Sequence, residues 1–483
     1  MIVDPRPVLT LVGKILCGLA ATMLIPAAFD WKAGHAEWQA FTTAAFVTLL
    51  CGLALALGMR TPRRSLSIRQ AYLTAAACWL VPTFFAALPF LWGEAQLPVV
   101  DGWFEAVSGI TGTASTVLVG LDRLPPGLLL WRGLLQWMGG IGMIVMAVAV
   151  LPGLNVGGMQ MFRIEVLSGQ DRATPRAARI GSTIVGVYVL LTVTLYLALW
   201  AAGMGRFEAL VHAMTTLSTG GFSTRDAQLA HFDRASIDLI VAIGMVVGGL
   251  PFLMFSTLAQ GDWRRAMRNQ QVHWYLGLLL LGGLAVTLWL VNSRGYGIGS
   301  AIRYGFFTVA SVMTGTGLTT IDFSDWAGMP VAILFLLTFV GGCSGSTAAG
   351  IKVFRFQFLF ANALMQVRQL LRPHAVLVPT FNKKPIAKDV LGSVMGFLFV
   401  YALSFAVLAM LLALLGLDFV TALSASASAI SNLGLGLGEV IGPGGTYAPL
   451  DDLAKLLLAG GMLLGRLEMF ILLVLVVPAF WED

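Results

Sequence analysis

The sequence predicts an all-α polytopic membrane protein, and three observations carry that reading. Apolar residues make up 58% of the 483 positions, charged residues only 11%, and the mean hydropathy is +0.84. Soluble domains need about a quarter of their residues charged to cover their exterior, so the bilayer is the solvent for most of this chain. Ten stretches are apolar over about 20 residues, the length that crosses the hydrocarbon core. They begin near Val8, Phe41, Ala71, Leu128, Ile180, Ile237, Tyr275, Val331, Val390 and Ala454. The excess of 30 Lys and Arg over 24 Asp and Glu then reports basic cytoplasmic loops rather than a nucleic-acid partner.

Taken in order, the first stretch has a cleavage-like Ala20-Ala21, but Lys14 interrupts it and a second span follows closely, so it reads as a retained helix. Basic clusters follow every second span: Arg60, Arg63, Arg64 and Arg69; Arg163, Arg172, Arg176 and Arg179; Arg264, Arg265 and Arg268; Arg368, Arg372, Lys383, Lys384 and Lys388. The alternate loops carry Asp101, Glu105, Asp122, Asp322, Asp325, Asp451 and Asp452. By the positive-inside rule both termini are cytoplasmic. The acids read as a solvated outer face, with attraction of cations as the alternative. Cys17, Cys51, Cys78 and Cys343 lack the paired spacing of a zinc site or disulfide framework, so neither is expected.

After the second span the chain repeats with a period of about 100 residues. Outer loops read SGITGTASTVL at Ser108–Leu118, TTLSTGGFST at Thr215–Thr224, SVMTGTGLTT at Ser311–Thr320 and SAISNLGLGLG at Ser428–Gly438. Each follows a semi-apolar segment (WFEAVSGI, RFEALVHAM, RYGFFTVASVM, FVTALSASASAI) that is too short to span. Half-length helices entering from outside fit re-entrant pore helices. Non-helical backbone survives at membrane depth only against protein or a water-filled cavity, and such helices aim their partly negative C-terminal ends inward, which favours a cation. Gly and Thr let successive carbonyls turn toward an axis. One such loop alone reads equally well as an ordinary outer turn; four in register read as a filter.

The chain resembles the Trk/Ktr/HKT superfamily of cation transporters, and its Trk branch in particular. The resemblance rests on FEAVSGIT at Phe104, LQWMGGIGMIVMAVAVLP at Leu135, GGFST at Gly220, GGCSGSTAAGIKV at Gly341, SNLGLGLG at Ser431 and LLGRLEMF at Leu463. It implies two leading helices (1–69) and four pseudo-fourfold repeats (70–155, 156–260, 261–358 and 389–483) around a single pore, with a cytoplasmic loop at 359–388. It also implies a homodimer in the bacterial inner membrane, a cytoplasmic nucleotide-binding regulatory subunit, and potassium uptake with no covalent cofactor. The basic loop from Arg368 to Lys388 is the natural docking face for that regulator.

On this resemblance the potassium-binding filter comprises Thr111, Gly112, Thr113 and Ala114; Thr219, Gly220 and Gly221; Thr314, Gly315, Thr316 and Gly317; and Asn432, Leu433 and Gly434. Ala114 stands where the family has glycine, with Gly112 displaced two positions upstream. Because a methyl opposes positive φ, the Ala114 carbonyl is expected to tilt from the axis. A serine there accompanies sodium transport in plant relatives, so sodium or mixed transport is the alternative reading; a simply tolerated alanine is the other.

Residues 341–350 break the eighth span, since ten small residues make a poor helix. Counting from Met329 at 1.5 Å per residue puts Gly341 about 18 Å deep. The same count reaches Gly139-Gly140, Gly248-Gly249 and Arg466, a gate-like ring of small residues with one charge. These runs are also readable as plain helix packing. The gate residues are Gly341, Gly342, Ser344, Gly345, Ser346, Thr347, Gly350, Lys352 and Arg466. By resemblance Arg466 acts with the loop as an ion barrier; the alternative is an arginine that only holds loop carbonyls. Glu468, two positions on, faces elsewhere, while Lys352 and Arg355 read as snorkelling to the cytoplasmic surface.

Two other classes compete. A membrane enzyme needs converging reactive groups, but His35, His212, His231, His273 and His374 are scattered and there is no HExxH or Walker lysine. A broken-helix secondary transporter predicts two inverted halves, whereas these repeats all enter from one side. The expected activity is passive or weakly coupled cation uptake, driven by about 2.3 kcal/mol per charge per 100 mV.

Overall fold

The computed structural model describes residues 4–60, 66–147, 154, 157–159, 173–375, 377–382, 384–438 and 440–482. Of the basic loop residues, Arg63, Arg64, Arg163, Arg172 and Lys383 lie outside these, as does the 155/156 repeat boundary.

In lipid each backbone N–H and C=O has to be satisfied within the spanning segment, which makes long apolar stretches helical. Among the described residues, seven helices have the length and composition to cross a membrane: Arg6–Ala33, Trp38–Gly58, Ile68–Trp92, Pro126–Val145, Gly181–Ala201, Gln270–Arg294 and Lys388–Leu414. Two more expected spans are bent pairs, Ala235–Gly248 with Phe252–Ala259 at 95° and Asp452–Arg466 with Phe470–Val476 at 114°. The remaining one is the 12-residue helix Met329–Val340, a loop, and the 19-residue helix Val353–Leu371. All ten stretches are therefore helical, but three are broken. The basic segment from Arg368 starts on that last helix rather than in a loop. A short antiparallel ribbon, Thr380–Phe381 with Lys384–Pro385, is the one departure from all-helical structure among the described residues.

The two leading helices approach closely because Gly13 and Gly52 face each other, a methyl on Gly13 falling 2.6 Å from the Gly52 carbonyl. The third span starts on a capping box: Ser67 Oγ accepts from Gln70 N at 3.2 Å and Gln70 Oε1 from Ser67 N at 2.9 Å.

Four short helices, Val99–Thr111, Arg206–Leu217, Ile298–Thr314 and Phe419–Ser431, each lead into an extended segment. The same turn closes all four, with Thr113, Gly220, Thr316 and Leu433 N–H donating to Ser108, Thr215, Ser311 and Ser428 carbonyls at 2.8–3.0 Å. Each helix that follows packs on the next short helix. At two of these seams the contact carries an ion pair: Asp238 with Arg303 at 2.7 Å, and Lys455 with Asp101 at 2.6 Å.

Gly139, Gly248 and Gly465 sit directly against the carbonyls of Ile110, Leu217 and Ile430, the C-terminal ends of three short helices. These small residues are thus packing contacts, and the fourth-repeat counterpart is Gly465 rather than Arg466, which corrects the expected ring at this depth. A methyl on Gly139 would overlap the Ile110 carbonyl, whereas nothing lies within 4 Å of Gly460. Gly139→Ala is expected to destabilise the protein by about 1–3 kcal/mol, read as a lowered midpoint of thermal unfolding in detergent. Gly460→Ala leaves that midpoint unchanged or slightly raised.

Candidate functional site

The four extended segments meet one another in a closed cyclic order. A methyl on Gly221 would overlap the Thr316 carbonyl, one on Gly317 the Leu433 carbonyl, and one on Gly434 the Thr113 carbonyl. Their backbones also match. Gly112, Thr219, Gly315 and Asn432 take φ of 70°, 51°, 76° and 52°, and two residues on Ala114, Gly221, Gly317 and Gly434 take 66°, 88°, 77° and 83°. Gly112 is therefore the counterpart of Thr219, Gly315 and Asn432, not a displaced filter glycine. Ala114 shares the left-handed backbone of the three glycines instead of departing from it, although that conformation costs an L-residue with a side chain about 1–2 kcal/mol.

The predicted ring residues do come together. Thr111 and Thr113 hydroxyls lie 2.7 Å apart, as do Thr314 and Thr316, and Asn432 Nδ2 donates to Thr113 Oγ1 at 2.8 Å. All of the ring residues are buried except Ala114 and Gly434, which are half-buried.

Residues that the sequence reading did not single out hold the ring from behind. Glu105, counted there among the solvated outer acids, is fully buried and pairs with Arg132 at 2.8 Å. Gln136 Oε1 accepts from Phe222 N at 3.0 Å, Gln228 Oε1 from Thr319 N at 2.8 Å, and Tyr447 N–H donates to Thr116 O at 2.8 Å. The available signal was the position of Glu105 inside an otherwise apolar helical run, where an intramembrane charge calls for a partner.

The broken eighth span closes on itself and on its neighbour. Gly341 and Gly350, at φ of 71° and 79°, pack against each other at its neck, and Ile351 and Lys352 N–H return to Phe339 and Val340 carbonyls at 3.0 and 2.9 Å. Gly342 O accepts from Val353 N at 3.1 Å, and Ser346 Oγ donates to Cys343 O at 2.6 Å. Ser344 N donates to Gln271 Oε1 at 2.9 Å. The loop also fills the break before Pro251: Cys343 N donates to Gly249 O at 2.9 Å, Thr347 N to Gly248 O at 3.2 Å, and Phe252 N to Gly345 O at 3.0 Å. Two interrupted helices thereby satisfy each other's backbone. Thr347 Oγ1 lies 3.2 Å from Thr219 Oγ1, linking the loop to the ring.

Arg466, 2% exposed, donates from Nη1 to Thr347 O at 3.1 Å and from Nη2 to Gly139 O at 3.3 Å. Lys352 and Arg355 do not snorkel: they are 1% and 0% exposed, and both pair with Glu468. The sequence count that separated Glu468 from Arg466 holds, but its partners lie across the fold. Burial of two cations against one carboxylate makes that carboxylate indispensable, because an uncompensated buried charge is costly.

Helices broken at membrane depth and four left-handed turns meeting in a ring define a polytopic transport protein. The family model described as "TrkH: Cation transport protein" matches residues 37–482, and the chain belongs to that family. Among its relatives, Trk system potassium uptake protein TrkI of Halomonas elongata is 41% identical, over 99% of this chain and 97% of its own. TrkH of Escherichia coli is 36% identical over 99% of each chain. The crystal structure of the potassium transporter TrkH from Vibrio parahaemolyticus superposes with a TM-score of 0.92 at 34% identity, covering 99% of both chains.

Glu468→Gln is expected to destabilise the fold by about 3–5 kcal/mol, the range for removing one partner of a buried pair. Thermal unfolding of the detergent-solubilised protein reads this directly, and a midpoint equal to wild type contradicts it.

Proposed function

We propose that the chain takes up potassium across the bacterial inner membrane through one pore formed by four pseudo-fourfold repeats (70–155, 156–260, 261–358 and 389–483), with 1–69 as the leading pair of helices and 359–388 on the cytoplasmic side with both termini. The observation that carries this reading is the closed cycle of four turns with the same hydrogen bond and the same pair of positive φ angles. Such turns bring successive carbonyls to a common axis, where they replace a cation's water and still allow exit. No covalent intermediate is needed, so the protein is a transporter and not an enzyme. The ring residues from Thr111 to Ala114, Thr219 to Gly221, Thr314 to Gly317 and Asn432 to Gly434 would be the ion ligands.

The 341–350 loop, with Lys352 and Arg466, would be the gate. Arg466 reaches from the loop to the first repeat, and a fixed cation there opposes ion passage in low dielectric. Arg368, Arg372 and Lys388 are exposed and would face a nucleotide-binding regulator of the homodimer. Reversing these charges is expected to abolish capture of that subunit in a pull-down, and unaltered capture contradicts the docking face.

Sodium uptake is the second reading, since Ala114 brings a methyl into the ring. The left-handed backbone of Ala114 favours potassium, because its carbonyl keeps the course of its three counterparts. In proteoliposomes the wild type is expected to pass potassium and rubidium and to exclude sodium, with little change in Ala114→Gly. Comparable sodium flux that the glycine variant suppresses establishes the sodium reading instead. Arg466→Ala is expected to raise resting potassium flux about tenfold, the factor for ~1.4 kcal/mol of barrier; unchanged flux removes Arg466 from the gate.

A further inference from the structure

We infer that the buried Glu105–Arg132 pair is a positioning device that keeps Ala114 in its left-handed conformation and so sets the ion discrimination of the ring, an inference that rests on the ring being the conduction filter. Glycine takes the positive φ of Gly221, Gly317 and Gly434 without penalty, but an alanine at φ 66° resists it. That backbone persists only where the surroundings over-determine it. The first short helix holds Ala114 from both sides. Before it, Thr113 N–H donates to Ser108 O at 2.9 Å. Beyond it, Glu105 accepts from Thr116 Oγ1 and Val117 N, each at 3.0 Å.

Arg132 completes the brace. It pairs with Glu105 at 2.8 Å and donates to Thr116 Oγ1 at 3.1 Å. It also reaches Ser223 O in the neighbouring segment at 3.0 Å, with its guanidinium 4.0 Å from the centre of the Phe222 ring. The first and second segments are thereby fixed to one buried charge pair, two residues beyond Ala114 and Gly221 respectively.

Counting back equally from the four ring positions makes His212, Thr308 and Ala425 the counterparts of Glu105. His212 Nε2 meets Ser223 Oγ at 3.2 Å, the neutral version of the contact between Glu105 and Thr116, and Ala425 has no polar side-chain atom. The ionised acceptor stands in the one repeat whose ring residue is not glycine. Charge-assisted hydrogen bonds are roughly twice as strong as neutral ones, so the strongest brace coincides with the one turn whose second left-handed position carries a side chain.

The test measures potassium and sodium fluxes of the full-length protein in liposomes for wild type, Glu105→Gln, Ala114→Gly and the double variant. The ratio of the two fluxes reports discrimination independently of how much protein folds. Glu105→Gln is expected to lower the potassium-to-sodium ratio about tenfold, equivalent to ~1.4 kcal/mol. In the Ala114→Gly background the same change is expected to cost less than about twofold, since glycine keeps the turn unaided; this coupling is what a double-mutant cycle isolates. A ratio unaltered by Glu105→Gln, or lowered equally in both backgrounds, overturns the inference, because a merely structural pair acts regardless of residue 114. Should Glu105→Gln fail to purify folded, Thr116→Val makes the same comparison, keeping the branched shape while deleting the hydroxyl that joins the turn to the pair. An unaltered ratio in Thr116→Val overturns the inference as well. Absence of any cation flux in the wild type overturns the conduction reading and this inference with it, whereas normal potassium flux with unchanged discrimination in the variants overturns the inference alone.

Discussion

Backbone that leaves a helix inside a bilayer exposes N–H and C=O groups that water cannot reach, each costing several kcal/mol unless protein or a wet cavity receives it. The helix breaks and extended turns among the described residues answer that constraint. The loop from Gly341 to Gly350 is received by carbonyls at the 248–251 break, and that break by the loop, so neither interruption stands without the other. The four extended segments are received by one another and by side chains behind them. Gly139, Gly248 and Gly465 let the supporting helices come close enough to do so.

Charge follows the same rule. Three buried basic residues, Lys352, Arg355 and Arg466, lie around the loop with Glu468 as their one carboxylate among the described residues. Lys352 and Arg355 use that carboxylate, while Arg466 donates to the carbonyls of Thr347 and Gly139. That difference suits their positions: the pair with Glu468 ties the last helix, bent by 114°, to the helix leaving the loop, while Arg466 bridges the loop to the first repeat. Arg466 therefore fastens the loop to the first repeat.

The helices were legible in the sequence because apolar length is a local property: each of the ten stretches begins within a few residues of an observed helix, and the interruption at 341–350 shows as a run of small residues. The four turns were legible for a related reason. Their spacing from a short semi-apolar segment repeats, Gly and Asn are the types that accept left-handed backbone, and Thr adds a small oxygen ligand. Of the readings kept open for Ala114, its φ of 66° goes with the tolerated alanine, because the contacts of the turn override the intrinsic preference. Glu105, Lys352 and Arg355 were misplaced because an isolated charge near a membrane boundary reads as solvated until its partner is known.

Composition and periodicity by themselves determined a multi-pass helical protein, the number of its apolar stretches and one of the three places where they break, since each follows from the cost of exposing backbone or charge to lipid. Which carbonyl faces which glycine, the pairing of Glu105 with Arg132 across 27 positions and of Glu468 with Arg355 across 113, and the left-handed turn at Ala114 were decided by tertiary structure alone. Those contacts join residues remote in sequence, and their energies exist only once the helices have met.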